Sequence, residues 1–291
     1  MAFLKQAPAD HPQATMVEAA GLRWLAQAAQ DGGAPVVPVL AASPGEASAA
    51  DRSPGPPARR GELRLQELTP VAPDPEAARD FGAALARTHG WLAAQTTDAP
   101  GFGALPPEHP ARTPAYFGPA DQPVELGTGV HDSWGAFLAA ERLDPVLAAL
   151  ESRITREDAR LLRSAREKIG SGALDDAEPP ALIHGDLWAG NVVWASTDSG
   201  QAQGVLIDPA AHTGHRETDI ALLHLFGLPQ LDAVISGYQQ QHALREGWQE
   251  RIPLHQLFCL SVHWLLFGAS YSGPTLSAAE SVLELASRSS R

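Results

Sequence analysis

Leu182-Ile183-His184-Gly185-Asp186-Leu187-Trp188-Ala189-Gly190-Asn191-Val192-Val193-Trp194 decides the reading of this chain. Two apolar residues, Leu182-Ile183, lead into a polar loop from His184 to Asn191, and Val192 to Trp194 leaves it as an apolar run. A second apolar run, Gly204-Val205-Leu206-Ile207, ends in Asp208-Pro209. The pattern predicts loop, strand, hairpin, strand and carboxylate, with Asp186, Asn191 and Asp208 gathered at one end of a two-stranded ribbon. Two carboxylates, with a carboxamide five residues after the first, suit phosphoryl transfer. One carboxylate orients and deprotonates an attacking hydroxyl, while Asn191 and Asp208 hold Mg²⁺ on the phosphates of a nucleotide.

An Asp followed by four residues and Asn, with a metal-binding Asp further on, is the spacing of the kinase catalytic loop. Gly185 stands where protein kinases have Arg, so His184-Gly185-Asp186 resembles the aminoglycoside and choline phosphotransferase branch instead. The same residues also read as a plain turn capped by Asn191. That reading requires three polar positions and two strand-like runs to coincide by chance.

At 291 residues the chain can hold one large domain or two lobes with ample core. It contains no run of eighteen apolar residues, and Met-Ala-Phe-Leu-Lys-Gln lacks a signal-peptide profile, so a soluble, cytoplasmic protein without membrane partners is expected. Cys259 is alone and lies in an apolar stretch, which predicts a small core residue. A formal charge of −13 argues against sequence-independent nucleic-acid binding, which needs clustered cations. Lys5 and Lys168 are the only lysines, against nineteen arginines (21 − 2), which draws attention to position 5. A compact ammonium that touches phosphates is not replaced by a guanidinium.

Ala2 to Lys5 reads as the end of a strand, and Thr15-Met16-Val17-Glu18 opens a helix with Val17, Leu22, Leu25 and Ala29 on its apolar face. Glu18 reads in two ways: as the capping-box partner of Thr15, or as a helix glutamate paired with Lys5. Val36 to Leu40 predicts a strand, and the Ala-, Ser-, Pro- and Gly-rich segment 41–61 a loop. Glu62 to Leu68 alternates as a strand. In a kinase reading its end, Glu67-Leu68, leads into a hinge whose backbone meets adenine; an ordinary sheet strand fits equally well.

Asp74-Pro75 starts a helix, and a Pro- and Gly-rich loop spans about 98–130. Its glycines follow no expected strand, so no dinucleotide site is assigned. Helices are expected from Asp132-Ser133-Trp134, from Thr155, over Ile220 to Phe226, over the apolar Leu254 to Phe267, and from Ser277. Asp219 reads as a helix cap. His212 and His215 lack a third nitrogen or sulfur ligand at useful spacing, so no zinc site is read.

With these residues in view, the chain resembles the fructosamine kinase (ketosamine-3-kinase) family. The match runs from Phe3-Leu4-Lys5 and Glu18-Ala19-Ala20-Gly21-Leu22, through Trp134, Phe137 and Arg142-Leu143, to the His184–Asn191 stretch and Ile207-Asp208-Pro209-Ala210. It continues through Gly214-His215-Arg216-Glu217-Thr218-Asp219 and ends near Phe267-Gly268-Ala269-Ser270-Tyr271. Trp188 after Asp-Leu, and Gly-His-Arg-Glu after Asp-Pro-Ala, are its most specific pieces.

The resemblance implies an α/β (α+β), two-lobed, protein-kinase-like fold. Residues 1–69 would form a short nucleotide lobe, and 70–291 a mostly helical catalytic and substrate lobe. It implies ATP as donor, Mg²⁺, and a hydroxyl of a small-molecule ketosamine, free or on a glycated amine, as acceptor. Asp186 would be the base, Asn191 and Asp208 the metal ligands, and Lys5 with Glu18 the phosphate-orienting pair. Trp188, His215, Arg216 and Glu217 stand where acceptor contacts are plausible, and oligomeric state is left open. The family's strand pair with a glycine-rich turn is missing ahead of Lys5, which leaves an inactive kinase-like binding protein as one alternative. An aminoglycoside or choline phosphotransferase is the other.

Overall fold

The computed structural model describes residues 2–46, 59–95, 100–197 and 199–289. Strand β1 (Ala2–Gln6), helix α1 (Ala14–Gln30), strand β2 (Val39–Ser43) and strand β3 (Glu62–Gln66) form the N-terminal unit. The sheet is antiparallel in the order β1-β3-β2, and Lys5 lies opposite Leu63. Alternation puts Leu63 and Leu65 on the covered face, where they meet Ala19 and Leu22 of α1.

The strand expected at 36–40 begins later, because Val36 bridges to Leu206 and Val37 N–H donates to the Leu206 carbonyl at 3.0 Å. It runs on through 41–43, which had been assigned to the loop; residues 47–58 of that loop lie outside the described residues. No capping box forms at α1. Gln13 is its N-cap without a side-chain bond, and Thr15 Oγ1 donates to Ser43 O at 3.4 Å. Glu18 is thereby free for Lys5.

Helix α2 (Pro75–Gln95) starts as expected, with Asp74 Oδ1 accepting from Glu76 N and Ala77 N at 2.9 and 2.8 Å. The Pro- and Gly-rich segment is not all loop: β4 (Ala115–Phe117) and β5 (Val124–Leu126) pair as a hairpin within it. Ser133 Oγ caps α3 (Trp134–Phe137), which runs through a π-helical turn, Leu138–Leu143, into α4 (Asp144–Leu150). Thr155 caps α5 (Arg156–Gly170).

Then come β6 (Ala181–Ile183), the ribbon β7 (Val192–Ser196) and β8 (Ala202–Leu206), and β9 (His212–Gly214). β7 pairs with β8 and β6 with β9, both antiparallel. Helices α6 (Arg216–Leu225), α7 (Leu231–Gln241), α8 (Trp248–Phe267) and α9 (Ser272–Ser289) complete the chain. Ser277, expected to cap the last helix, lies inside α9. The apolar α8 is the centre of the largest core cluster, with Leu254, Leu257, Leu260, Val262 and the buried Cys259. Among the described residues no helix is long and apolar enough to cross a membrane.

Candidate active site

The loop after β6 is held by a residue that local sequence misassigns. Asp219 was expected to cap α6, but His215 is the cap, its Nδ1 accepting from Glu217 N at 3.1 Å. Asp219 lies inside the helix, fully buried, and accepts from His184 N at 2.7 Å and Gly185 N at 2.9 Å. Gly185 adopts φ +81°, and a Cβ there would press into the Ala210 carbonyl, so glycine meets both demands. His184 donates from Nε2 to Ile207 O at 2.8 Å and accepts from Asp186 N at 3.2 Å. One side chain thus ties the Asp186 loop to the strand end that carries Asp208.

Asn191 Nδ2 donates to the Asp186 carbonyl at 2.7 Å, which leaves its amide oxygen available. Asp208 sits in the left-handed region at φ 54°, a conformation that Asp tolerates better than most residues. Its carboxylate accepts from Lys5 Nζ at 2.6 Å, and Lys5 also donates to Glu18 Oε1 at 2.8 Å. Burial pulls the Lys5 pKa down, but Glu18 and Asp208 outweigh it and hold the ammonium above its ordinary value. Burial, with Asp208 and Asp219 nearby, pushes the Asp186 carboxyl up to about 7. Asn191 and Asp208 offer an amide and a carboxylate oxygen, a donor set that fits a hard divalent cation.

Asp186 and Asp208 line two adjoining cavities. One, of about 80 Å³, also touches Lys5, Glu18 and Tyr116. The other, of about 490 Å³, is walled by Phe117, Trp188, Phe226, His263, Phe267 and Tyr271. Of the four residues expected at the acceptor, Trp188 lines this cavity. Of the residues in this wall, Phe117 comes from the unexpected hairpin, and Phe226, His263 and Tyr271 carry no local signal that separates them from core aromatics.

His215, Arg216 and Glu217 do not line either cavity, against the sequence expectation of acceptor contacts. All three are buried, Arg216 and Glu217 in ion pairs and His215 in a hydrogen bond. His215 Nε2 meets Asp176 Oδ1 at 3.0 Å, Arg216 pairs twice with Glu178 at 3.0 and 2.8 Å, and Arg251 donates to both Glu217 oxygens at 2.8 and 2.6 Å. His255, from α8, brings a third ligating group within 4.8 Å of His215 and Glu217. Arg251 already neutralises Glu217, so the cluster is a closed network with its own cation. Glu67 is exposed and Leu68 half-buried just beyond β3, where Leu68 packs against the cluster that holds Leu63, Leu65 and Val205. Neither Glu67 nor Leu68 lines the two cavities.

The family model described as fructosamine kinase matches residues 2–285. The chain belongs to the fructosamine kinase family. A solved structure from Thermobifida fusca YX-ER1 with a provisional fructosamine-3-kinase name is 37% identical, with a TM-score of 0.74 over 97% of this chain and 85% of that one. A provisionally named ketoamine kinase of Enterococcus faecium is 34% identical over 66% of this chain, and the Mus musculus ketosamine-3-kinase 35% over 50%. The chain spans only 62% and 45% of those two relatives' lengths. An amicoumacin kinase, 12% identical with a TM-score of 0.58, shares the fold. The fold is protein-kinase-like, with a small N-terminal sheet and a mostly helical C-terminal part.

Proposed function

We propose that this fructosamine kinase family member transfers the γ-phosphoryl group of ATP to a hydroxyl of a small-molecule ketosamine. The observation that carries the reading is the placing of Asp186 between the Lys5–Glu18–Asp208 cluster and the aromatic cavity. The acceptor hydroxyl, held in the aromatic cavity, donates to the Asp186 carboxylate and loses its proton there as its oxygen bonds to phosphorus. The bond from phosphorus to the β–γ bridging oxygen breaks, and ADP leaves. Lys5, oriented by Glu18, meets the phosphates, and Asn191 and Asp208 hold the divalent cation, Mg²⁺ in this reading. That cation supplies charge neutralisation on the phosphates. Glu67 and Leu68 present backbone to adenine. A carboxyl raised to about 7 is a stronger base than an ordinary carboxylate and still ionises near neutral pH.

An aminoglycoside acceptor carries several ammonium groups. Among the described residues, the wall of the larger cavity includes no carboxylate beyond Asp186 and Asp208 to receive them. Choline is a sharper competitor, since aromatic walls also suit a quaternary ammonium.

The test is Mg²⁺-dependent ADP release from ATP, with fructose- and ribose-derived ketosamines offered beside choline and an aminoglycoside. Release with a ketosamine is expected. In Asp186→Asn it should fall by about 10²–10⁴-fold with the melting temperature preserved. Release with choline or the aminoglycoside only, or with none, sinks the reading.

A further inference from the structure

Much of the wall of the larger cavity, which Asp186 and Asp208 also line, is built from rings in mutual contact. Trp188 and Phe226 lie 5.5 Å apart edge to face, Phe226 and His263 5.2 Å, and His263 and Tyr271 5.0 Å. Phe267 closes the chain of rings at 5.3 Å from His263. Phe267 is 52% exposed and Trp188 38%, so two of the large apolar side chains left open to water stand on this cavity. A cavity of about 490 Å³ falls among those that enclose a drug-sized ligand, roughly 300–1,000 Å³, so room remains beyond one sugar ring.

Among the described residues no lysine or arginine lines this wall, and of its two carboxylates Asp208 is already paired with Lys5 at 2.6 Å. His263 donates from Nδ1 to the Cys259 carbonyl at 2.8 Å, and burial holds its imidazole below the ordinary range, so it adds no cation at neutral pH. An ammonium is welcome on the ring faces. A carboxylate there loses its water to the negative faces of the rings and finds no lysine or arginine among the described lining residues.

Resting on the proposed reaction, we infer that Trp188, Phe226, Phe267 and Tyr271 form the subsite for the amine carrier of the acceptor. They select a carrier that is apolar or aromatic and bears no carboxylate beside the amine. The acceptors would be ketosamines of simple alkyl- and arylamines, in preference to those of free amino acids.

The test compares kcat/KM for the fructose-derived ketosamines of benzylamine and of phenylalanine, which differ by the α-carboxylate and a methylene. The benzylamine compound is expected to be favoured by about tenfold or more. In Phe267→Arg, at the half-open rim, the guanidinium supplies the missing cation, and the preference should shrink or reverse. Equal kcat/KM for the two compounds, or a ratio unmoved by Phe267→Arg, overturns the inference. So does turnover of other ketosamines with neither of these two, which leaves the proposed reaction standing. Turnover of no ketosamine overturns both.

Discussion

Lys5 illustrates how much one side chain is asked to do. Its Nζ stands 2.8 Å from Glu18 and 2.6 Å from Asp208, so a single ammonium joins β1, α1 and the turn after the ribbon. A compact charge with rotatable donors satisfies two carboxylates at that separation and still presents a proton to a phosphate; a planar guanidinium does not. Lys5→Arg is therefore expected to behave like Lys5→Met, with KM for ATP raised and kcat lowered by about 10²-fold. Steady-state kinetics on both variants check it, and an active Lys5→Arg enzyme would contradict the phosphate role. Lys5 stood out because the chain uses arginine almost everywhere else, and its pairing with Glu18 was legible from the order strand lysine, helix glutamate, Asp186 loop. Asp219 was not: its amide partners lie 34 and 35 residues earlier in the chain, and only the tertiary fold brings them together.

At the scale of elements, α2 and α7 approach until backbone touches backbone. A Cβ on Gly82 would strike the Val234 carbonyl, and one on Gly237 the Arg79 carbonyl. That close approach brings Tyr238 Oη to within 2.8 Å of His89 Nδ1, while His89 Nε2 donates to Asp219 Oδ2 at 3.1 Å. The helix pair thus buttresses the carboxylate that holds the Asp186 loop. Gly237→Ala should wedge the helices apart at a cost of about 1–3 kcal/mol. Because the relay ends on the loop, kcat should fall while KM for the acceptor stays near its original value. Denaturant melts and kinetics read the two effects, with the exposed Ser236→Ala as control. A loss of stability with kcat untouched would show packing alone. Elements with capped starts, α2 at Asp74 and α5 at Thr155, were readable from their first residues. The β4–β5 hairpin was not, because three-residue strands show no period, and Gln- and Gly-containing α7 begins at a left-handed Gln230 without a side-chain cap.

For the whole molecule, charge and burial make opposite demands on stability in acid. A net charge of −13 at pH 7 and a pI near 5.2 mean that self-repulsion relaxes as pH falls, which alone would stabilise the fold. The buried imidazoles act the other way. Burial, and the cation of Arg142, depress His212 to about 3; burial depresses His255 to about 4 against the pull of Glu217. A base whose folded pKa lies below its unfolded value of 6.5 contributes stability that is present above pH 6.5. It is lost as the unfolded chain takes up the proton that the fold refuses. From pH 6.5 to 5 each such group removes on the order of 2 kcal/mol. Asp186, raised to about 7 in the fold, takes up its proton first and returns on the order of 2 kcal/mol over the same range, about what one histidine removes. Surface repulsion is screened beyond about 8 Å at physiological salt, so the two buried histidines together should win. Urea unfolding in 0.15 M salt, near physiological strength, is expected to show lower stability at pH 5 than at pH 7. His212→Asn, which can still donate to Ala210 O, should remove roughly half of the loss from these two groups. Stability that is flat or rising toward pH 5, in the parent and in His212→Asn alike, would contradict the refusal of protons by these imidazoles.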